Sequence, residues 1–263
     1  MNAQPSAGYP SIVSKFGYSP LGPALWRRDP LTGLESRDLS LAQASDEALI
    51  GRHLRTGGSP ANAHELIARD TVFTFLFVLA GAVTLQEDSQ KPVVLRALDS
   101  ATRIGAGKSV VISLSHDAEV IEMKASAAGA HLLGTGPGRW VVNQENETDY
   151  LQGQGPRAFF RYRDLGVAEA SKRRVHIHVV RATKASADGG TGWHSHSMGQ
   201  LFYVLRGFAD LTVDRQPALR MHAGDAMCIS PRMKHNVPAF SADYLVLEMC
   251  IPADYDTVDA EKP

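Results

Sequence analysis

GWHSHSMGQLFYVLRG, residues 192–207, sets two histidines two apart, then a glutamine, then an apolar run closed by a glycine. Along an extended strand alternate side chains point to one face. If the stretch is extended throughout, His194, His196 and Gln200 share that face with Met198, Phe202 and Val204. A polar patch would then run into an apolar wall, an arrangement suited to a pocket inside a barrel. Ser197-Met198-Gly199 is also compatible with a short turn, which would break the alternation before Gln200.

Imidazole nitrogen is a good ligand for Fe(II), Mn(II), Ni(II) and Zn(II). Downstream, GDAMCISPRMKHN (224–236) leaves a strand, turns at Ser-Pro and delivers His235, a third imidazole from a separate segment. His176 and His178 form a second His-x-His pair with no further ligand close behind, and read as wall or packing residues. His53 and His64 read as ordinary polar residues.

The chain repeats itself. RDLSLAQAS (37–45) returns as RDLGVAEAS (163–171), a shift of 126. The same shift carries Gly81 onto Gly207, Asp99 onto Asp225 and VIEM (120–123) onto VLEM (246–249). The matches define two copies of one unit, spanning roughly residues 20–135 and 157–252. The Gly-rich polar stretch between them reads as a linker. In the second copy short apolar runs (VHIHVV, LFYVL, DLTV, AMCIS, YLVLEMCI) alternate with Gly, Asp, Pro and Ser, the spacing of an all-β sandwich or barrel. Ser45 to Leu54 is the best helix candidate, yet its counterpart VHIHVV argues for a strand there too.

Composition narrows the function classes. A formal net charge of −1 and a pI near 6.8 give no electrostatic reason to expect nucleic acid or an anionic membrane as partner. The longest apolar run, Val72 to Val83, is far short of the roughly 20 residues that span a bilayer. No basic start followed by an apolar stretch marks a secretory signal, so a cytoplasmic protein is expected. Cys228 and Cys250 lie inside apolar runs and read as buried free thiols.

The two histidine segments resemble the paired motifs of the cupin superfamily. The first motif is His-x-His, three or four residues, Glu, six residues, Gly; here stand His194, His196, Gln200 and Gly207. The second begins Gly-Asp and places a histidine eleven residues after the glycine; here stand Gly224, Asp225 and His235. Ser230 replaces the usual proline, Arg232 the usual glycine and Ala239 the usual asparagine, so the turn chemistry departs from the pattern while the ligand positions fit. The resemblance implies a bicupin, two tandem antiparallel β-barrels of the jelly-roll kind. It divides the chain at 1–150, a degenerate barrel, and 151–263, a metal-binding one. Shifted back by 126, the four ligand positions fall on Ala68, Asp70, Thr74 and Ser109, which cannot make such a site.

The resemblance further implies a divalent ion held by His194, His196, His235 and Gln200, with Met198, Phe202, Val204, Met227 and Met249 lining the pocket. The expected activity is that of a metal-dependent enzyme, in first place a dioxygenase on a small anionic diketone, phenolic or aromatic substrate. A non-catalytic small-molecule-binding bicupin and a non-oxidative isomerase or decarboxylase are the alternatives. Glu248 is a candidate acid or base, though its counterpart Glu122 in the other copy favours a structural role. A homodimer is expected.

Overall fold

A computed structural model of the chain describes residues 11–22, 25–30, 32–57, 72–87, 91–105, 110–126, 129–133, 136 and 138–263. All strand pairings are antiparallel, and the chain divides into two compact units. The N-terminal unit comprises Gly22–Ala42 and Glu47–Asn146; the C-terminal unit comprises the segment ending at Leu21, residues 43–46 and Glu147–Pro263.

The repeat read in the sequence is a repeat of strands. Phe73–Ala80, Ala82–Glu87, Val93–Arg96 and Glu119–Ala125 of the N-terminal unit fall, 126 residues on, on Gly199–Arg206, Phe208–Val213, Leu219–His222 and Leu245–Ile251 of the C-terminal unit. Leu49–Arg55 corresponds to His176–Ala182, so the segment offered as a helix is a strand in both copies. In the N-terminal copy buried Leu49, Gly51 and His53 alternate with Ile50 and Arg52, the period of two of a strand, and the segment is paired on both sides. Gly81 and Gly207 close the same tight turn with φ of 68° and 70°, a left-handed conformation that glycine adopts without penalty.

The Arg-Asp-Leu match is likewise structural. Arg37 and Arg163 are fully buried, each with its guanidinium near an aromatic face, Trp26 at 6.0 Å and Tyr150 at 5.7 Å. Asp38 and Asp164 accept the N–H two residues on, at 2.6 and 2.8 Å, and Leu39 and Leu165 enter the core.

In the C-terminal unit a seven-stranded sheet runs Gly17–Ser19, Ala226–Ile229, Gly199–Arg206, Leu245–Ile251, His176–Ala182, Phe160–Asp164, Leu151–Gln152. A five-stranded sheet runs Leu219–His222, Phe208–Val213, His235–Phe240, His194–His196, Thr257–Asp259. The core is built from both, with Val180, Val204, Met227 and Val246 of the first against Leu211, Met221 and Phe240 of the second. The N-terminal unit repeats this with a seven-stranded and a three-stranded sheet, Leu76, Val78 and Val120 meeting Val83, Leu95 and Ile112.

Tyr18 stands opposite Met227, so a strand from the start of the chain completes the C-terminal sheet, and a division at residue 150 misses it. An uncovered strand edge leaves a row of unpaired backbone groups, and in each unit one such edge is paired by a further strand. In the N-terminal unit Trp140–Asn143 covers Ser100–Ile104. In the C-terminal unit Gly17–Ser19 covers Ala226–Ile229. The repeated aspartates fasten these covers. Asp225 accepts the N–H groups of Leu21 at 2.7 Å and His222 at 2.9 Å, and Asp99 those of Glu145 at 2.7 Å and Arg96 at 2.8 Å. A carboxylate hydrogen bond of this kind contributes about 1.5–3 kcal/mol. Asp225→Ala is therefore expected to cost about 3 kcal/mol in urea unfolding, and Asp99→Ala a similar amount. An unchanged midpoint would show that the ladders alone hold the covering strands.

Candidate metal centre

The expected continuity from His194 to Val204 is broken. His194–His196 is a short strand of the five-stranded sheet, paired with His235 on one side and with Thr257–Asp259 on the other. Residues 197–198 bend, and the chain re-enters the seven-stranded sheet at Gly199. The polypeptide thus passes from one sheet to the other between the second histidine and the glutamine. A Cβ at Gly199 would stand 2.1 Å from the Val13 carbonyl oxygen, so only glycine permits this crossing beside the N-terminal segment.

The crossing brings His194, His196 and His235 together. Their ring centroids are 4.3–5.2 Å apart, and one ligand nitrogen from each lies within 4.8 Å of the others. Each Nδ1 is engaged by a scaffold oxygen: the Gly192 carbonyl at 2.9 Å for His194, the Thr257 hydroxyl at 2.8 Å for His196, the Met233 carbonyl at 3.0 Å for His235. An Nδ1–H donated to a carbonyl fixes the tautomer and leaves the Nε2 lone pair free, the state in which imidazole binds a metal. Burial lowers the proton affinity of all three. His235 is held down at about 3, with the His194 charge adding to the effect, and His196 at about 4; His194 is lowered too. The triad is neutral at physiological pH.

Gln200 is buried, and its amide nitrogen lies 3.2 Å from His235 Nε2. Its Oε1 is buried without a hydrogen-bond partner. An amide turned end for end occupies the same volume. With His235 Nε2 given to a cation, the turned amide would present its oxygen to that cation and the orphaned acceptor would be satisfied. The donor set therefore fits a divalent ion.

The triad opens on a cavity of about 330 Å³. Phe202 lines it. Met198, Val204 and Met227 do not; they are buried, Val204 and Met227 in the core between the sheets and Met198 in the bend. Met249 stands opposite Ile177 and Leu201, all odd-numbered and on the far face of the sheet from the cavity. Its neighbour Glu248 faces inward and lines the cavity, with His178 opposite it across the ladder. His178 is thus a cavity residue, which its lack of a nearby third ligand concealed in the sequence. Its Nε2 lies 2.9 Å from a Glu248 carboxylate oxygen and its Nδ1 2.5 Å from His176 Nε2. Burial favours a protonated Glu248, but the charge and hydrogen bond of His178 outweigh it and hold the carboxyl well below its ordinary range, at about 2. Arg157, Tyr162 and Tyr255 complete the polar lining. Burial, aided by the Glu248 charge, pushes the Tyr162 hydroxyl up to about 12.

Of the positions equivalent to the ligands in the N-terminal unit, Thr74 is buried in its strand, and Ala68, Asp70 and Ser109 lie outside the described residues. Among the described residues the His194–His196–His235 group is the one cluster that could hold a metal. No helix of the described residues is long and apolar enough to cross a membrane. Both cysteines are free and buried.

Residues 184–250 match the Cupin domain family. That match lies within the C-terminal unit, which carries a cupin domain. No curated protein sequence matches it. Its fold is similar to that of protein YlbA from E. coli (13% identity, 98% of this chain and 97% of that chain covered, TM-score 0.64). It is also similar to a putative glyoxylate-induced protein from Pseudomonas aeruginosa (13% identity, 98% of each chain, TM-score 0.66). A variant of Bacillus subtilis oxalate decarboxylase matches over 97% of this chain and 81% of its own, at 14% identity and a TM-score of 0.62. These structures cover both units, so the likeness in fold extends over the whole chain.

The lowered imidazoles carry a signed consequence. A histidine whose folded pKa lies below its ordinary 6.5 binds more protons unfolded than folded between the two values. Metal-free protein should therefore lose stability as pH falls below about 6.5, His196 and His235 contributing down to about 4 and about 3. Glu248 adds to the loss below its ordinary 4.5. Unfolding midpoints across pH 7.5–4 check this, and His196→Gln should flatten the profile. A midpoint that does not move between pH 7 and pH 5 would contradict the burial ascribed to the triad.

Proposed function

We propose that this cupin is a metal-dependent enzyme that takes a small anionic, oxygen-bearing substrate and works on it by proton transfer. The observation that carries the reading is the donor set: three imidazoles tied at Nδ1, converging at Nε2, beside the orphaned Gln200 oxygen. His194, His196 and His235 would hold the ion, with Gln200 as fourth ligand. Imidazole and amide donors suit Fe(II), Mn(II), Ni(II) or Zn(II). The ion when bound supplies Lewis acidity, undiminished because none of the four ligands is charged.

The chain's own residues account for the rest. Arg157 adds a cation to the cavity rim and would orient a substrate carboxylate or enolate. Phe202, Val180 and Val246 wall the apolar side and exclude water from a bound molecule. Glu248, ionised and hydrogen-bonded to His178, is placed to take or return a proton. This favours non-oxidative isomerase or decarboxylase chemistry. The dioxygenase reading is the second one, and the aromatic wall of Phe160, Phe202 and Tyr244 favours it where the substrate is a phenol or diketone.

Elemental analysis of protein purified without oxygen or chelator should find about one divalent ion per chain, lost in His235→Ala. Gln200→Glu should keep the ion and weaken binding of a small dicarboxylate such as malonate at least ten-fold, because the added charge removes the attraction for anions. Absence of metal from the wild-type protein under every loading condition would overturn the site. Oxygen uptake with diketones or phenols, tested in the same preparation, decides for the second reading.

A further inference from the structure

Glu248 has a route to the surface that does not pass through the cavity mouth. Its carboxylate oxygen meets His178 Nε2 at 2.9 Å, His178 Nδ1 meets His176 Nε2 at 2.5 Å, and His176 Nδ1 lies 3.9 Å from the carboxylate of exposed Asp164, a gap of the size one water bridges. His178 side-chain exposure is 7%, against 19% for His176 and 60% for Asp164, so the chain of nitrogens leads outward. We propose that His178 and His176 form a proton relay that exchanges protons between solvent and Glu248 while the cavity is occupied. The inference rests on the enzyme reading above only in giving Glu248 a reaction to serve.

The protons balance along the path. When His178 is neutral with its Nε2–H donated to Glu248, its Nδ1 accepts from His176 Nε2–H, since two imidazole nitrogens in contact share one proton. A proton arriving from water on His176 Nδ1 releases the Nε2 proton to His178 Nδ1, and His178 passes its Nε2 proton to Glu248. After such a delivery His178 Nε2 is free to accept, and a proton then taken by Glu248 from a substrate runs the same steps backwards to water. One delivery followed by one removal restores both tautomers, so the relay resets without either ring turning over.

The N-terminal unit supplies the contrast. Glu122 is the counterpart of Glu248 and is buried at 2% side-chain exposure. Its partner across the ladder is Arg52, the counterpart of His178, whose Nε donates at 3.1 Å. Lys124, the counterpart of Cys250, pairs with the same carboxylate. Ile50 is the counterpart of His176. There the buried glutamate is paired with a guanidinium and an ammonium, and neither relay position carries imidazole. In the C-terminal unit both relay positions carry imidazole. Other groups facing the pair are Tyr162 and Asp164 on the adjoining strand and Cys250 opposite His176, with Arg173 near His176, while His196 and Tyr255 act on Glu248. Burial, with the His178 charge next, holds His176 at about 4, so the pair is not locked as two cations.

The counterparts also name the test variants. His176→Ile installs the residue that the same scaffold carries at 50, and His178→Arg installs the fixed pair of the N-terminal unit. The measurement is imidazole ¹⁵N NMR on full-length, zinc-exchanged protein, reading the coupling across the His176 Nε2–His178 Nδ1 hydrogen bond and the exchange of the His178 Nε2 proton with water. The wild type should show the coupling. His176→Ile should slow exchange at least ten-fold while the unfolding midpoint and zinc content stay unchanged. His178→Arg should stay folded, since the equivalent pair is stable in the other unit. Exchange that is unchanged or faster in His176→Ile would show that protons reach Glu248 through the cavity mouth, and would overturn the relay. Ten-fold slowing in protein that binds no zinc would keep the relay and sink the metal centre; bound zinc with unchanged exchange would do the reverse.

Discussion

Alternation along three adjacent strands governs which side chains meet the interior of the C-terminal unit. His176, His178 and Val180, then Val246 and Glu248, then Gln200, Phe202 and Val204 stand on one face, in a register fixed by the ladders joining Glu248 to His178 on one side and to Phe202 on the other. A slip of one residue would turn each of them outward. At one end of this face the interior is packed apolar core; at the other it opens into the cavity that Glu248 and the triad share. The second sheet contributes His194, His196 and His235. The site is a seam between two sheets, and the bend at 197–198 is where one segment serves both.

The two units show one scaffold put to different uses. Gly81 and Gly207, Asp99 and Asp225, Arg37 and Arg163 do the same structural work in each. Such features belong to the fold. The glutamate pair differs. In the N-terminal unit Glu122 is neutralised by Arg52 and Lys124, and a buried carboxylate with two cations has its desolvation penalty offset. In the C-terminal unit Glu248 has imidazole and thiol neighbours, with Cys250 Sγ 3.7 Å away. Losing the permanent cations surrenders electrostatic compensation. A site that exchanges protons is one physical reason to tolerate that.

Local patterns made part of this legible in the sequence and non-local ones hid the rest. The shift of 126 exposed the repeat because strands, turns and the Arg-Asp-Leu element recur without a gap. His194, His196 and His235 were legible because their spacing matches a known motif pair. Met249 was misplaced by a single step of parity, since the residue beside it, Glu248, takes the inward position. Met198 was misplaced because a two-residue bend interrupts the alternation, and Gly199 is required there by a carbonyl 186 residues earlier in the chain, which no local pattern reveals. The same holds for Gly17–Ser19, too short a strand to announce that it pairs with Ala226–Ile229. His178 carried no local sign of its role because its partners come from its own strand and from the one that ends the repeat.

The glutamine at position 200 acquires a meaning beside Glu248. A carboxylate bound to a cation is a poor base, since the cation holds the electron pair that a proton would need. The usual glutamate of the first cupin motif lies at Gln200, one ladder step along the inner face from Phe202, and Phe202 lies opposite Glu248. In this chain the amide leaves the triad uncharged, and the carboxylate of the cavity stands apart from it, hydrogen-bonded to an imidazole. The negative charge stays in the cavity but is removed from the donor set. That separation would let a cation at the triad act on substrate oxygen at full strength while Glu248 stays clear of the cation and ionised. With a glutamate at 200 in place of the amide, the first of those two properties would be weakened; without Glu248, the second would be absent.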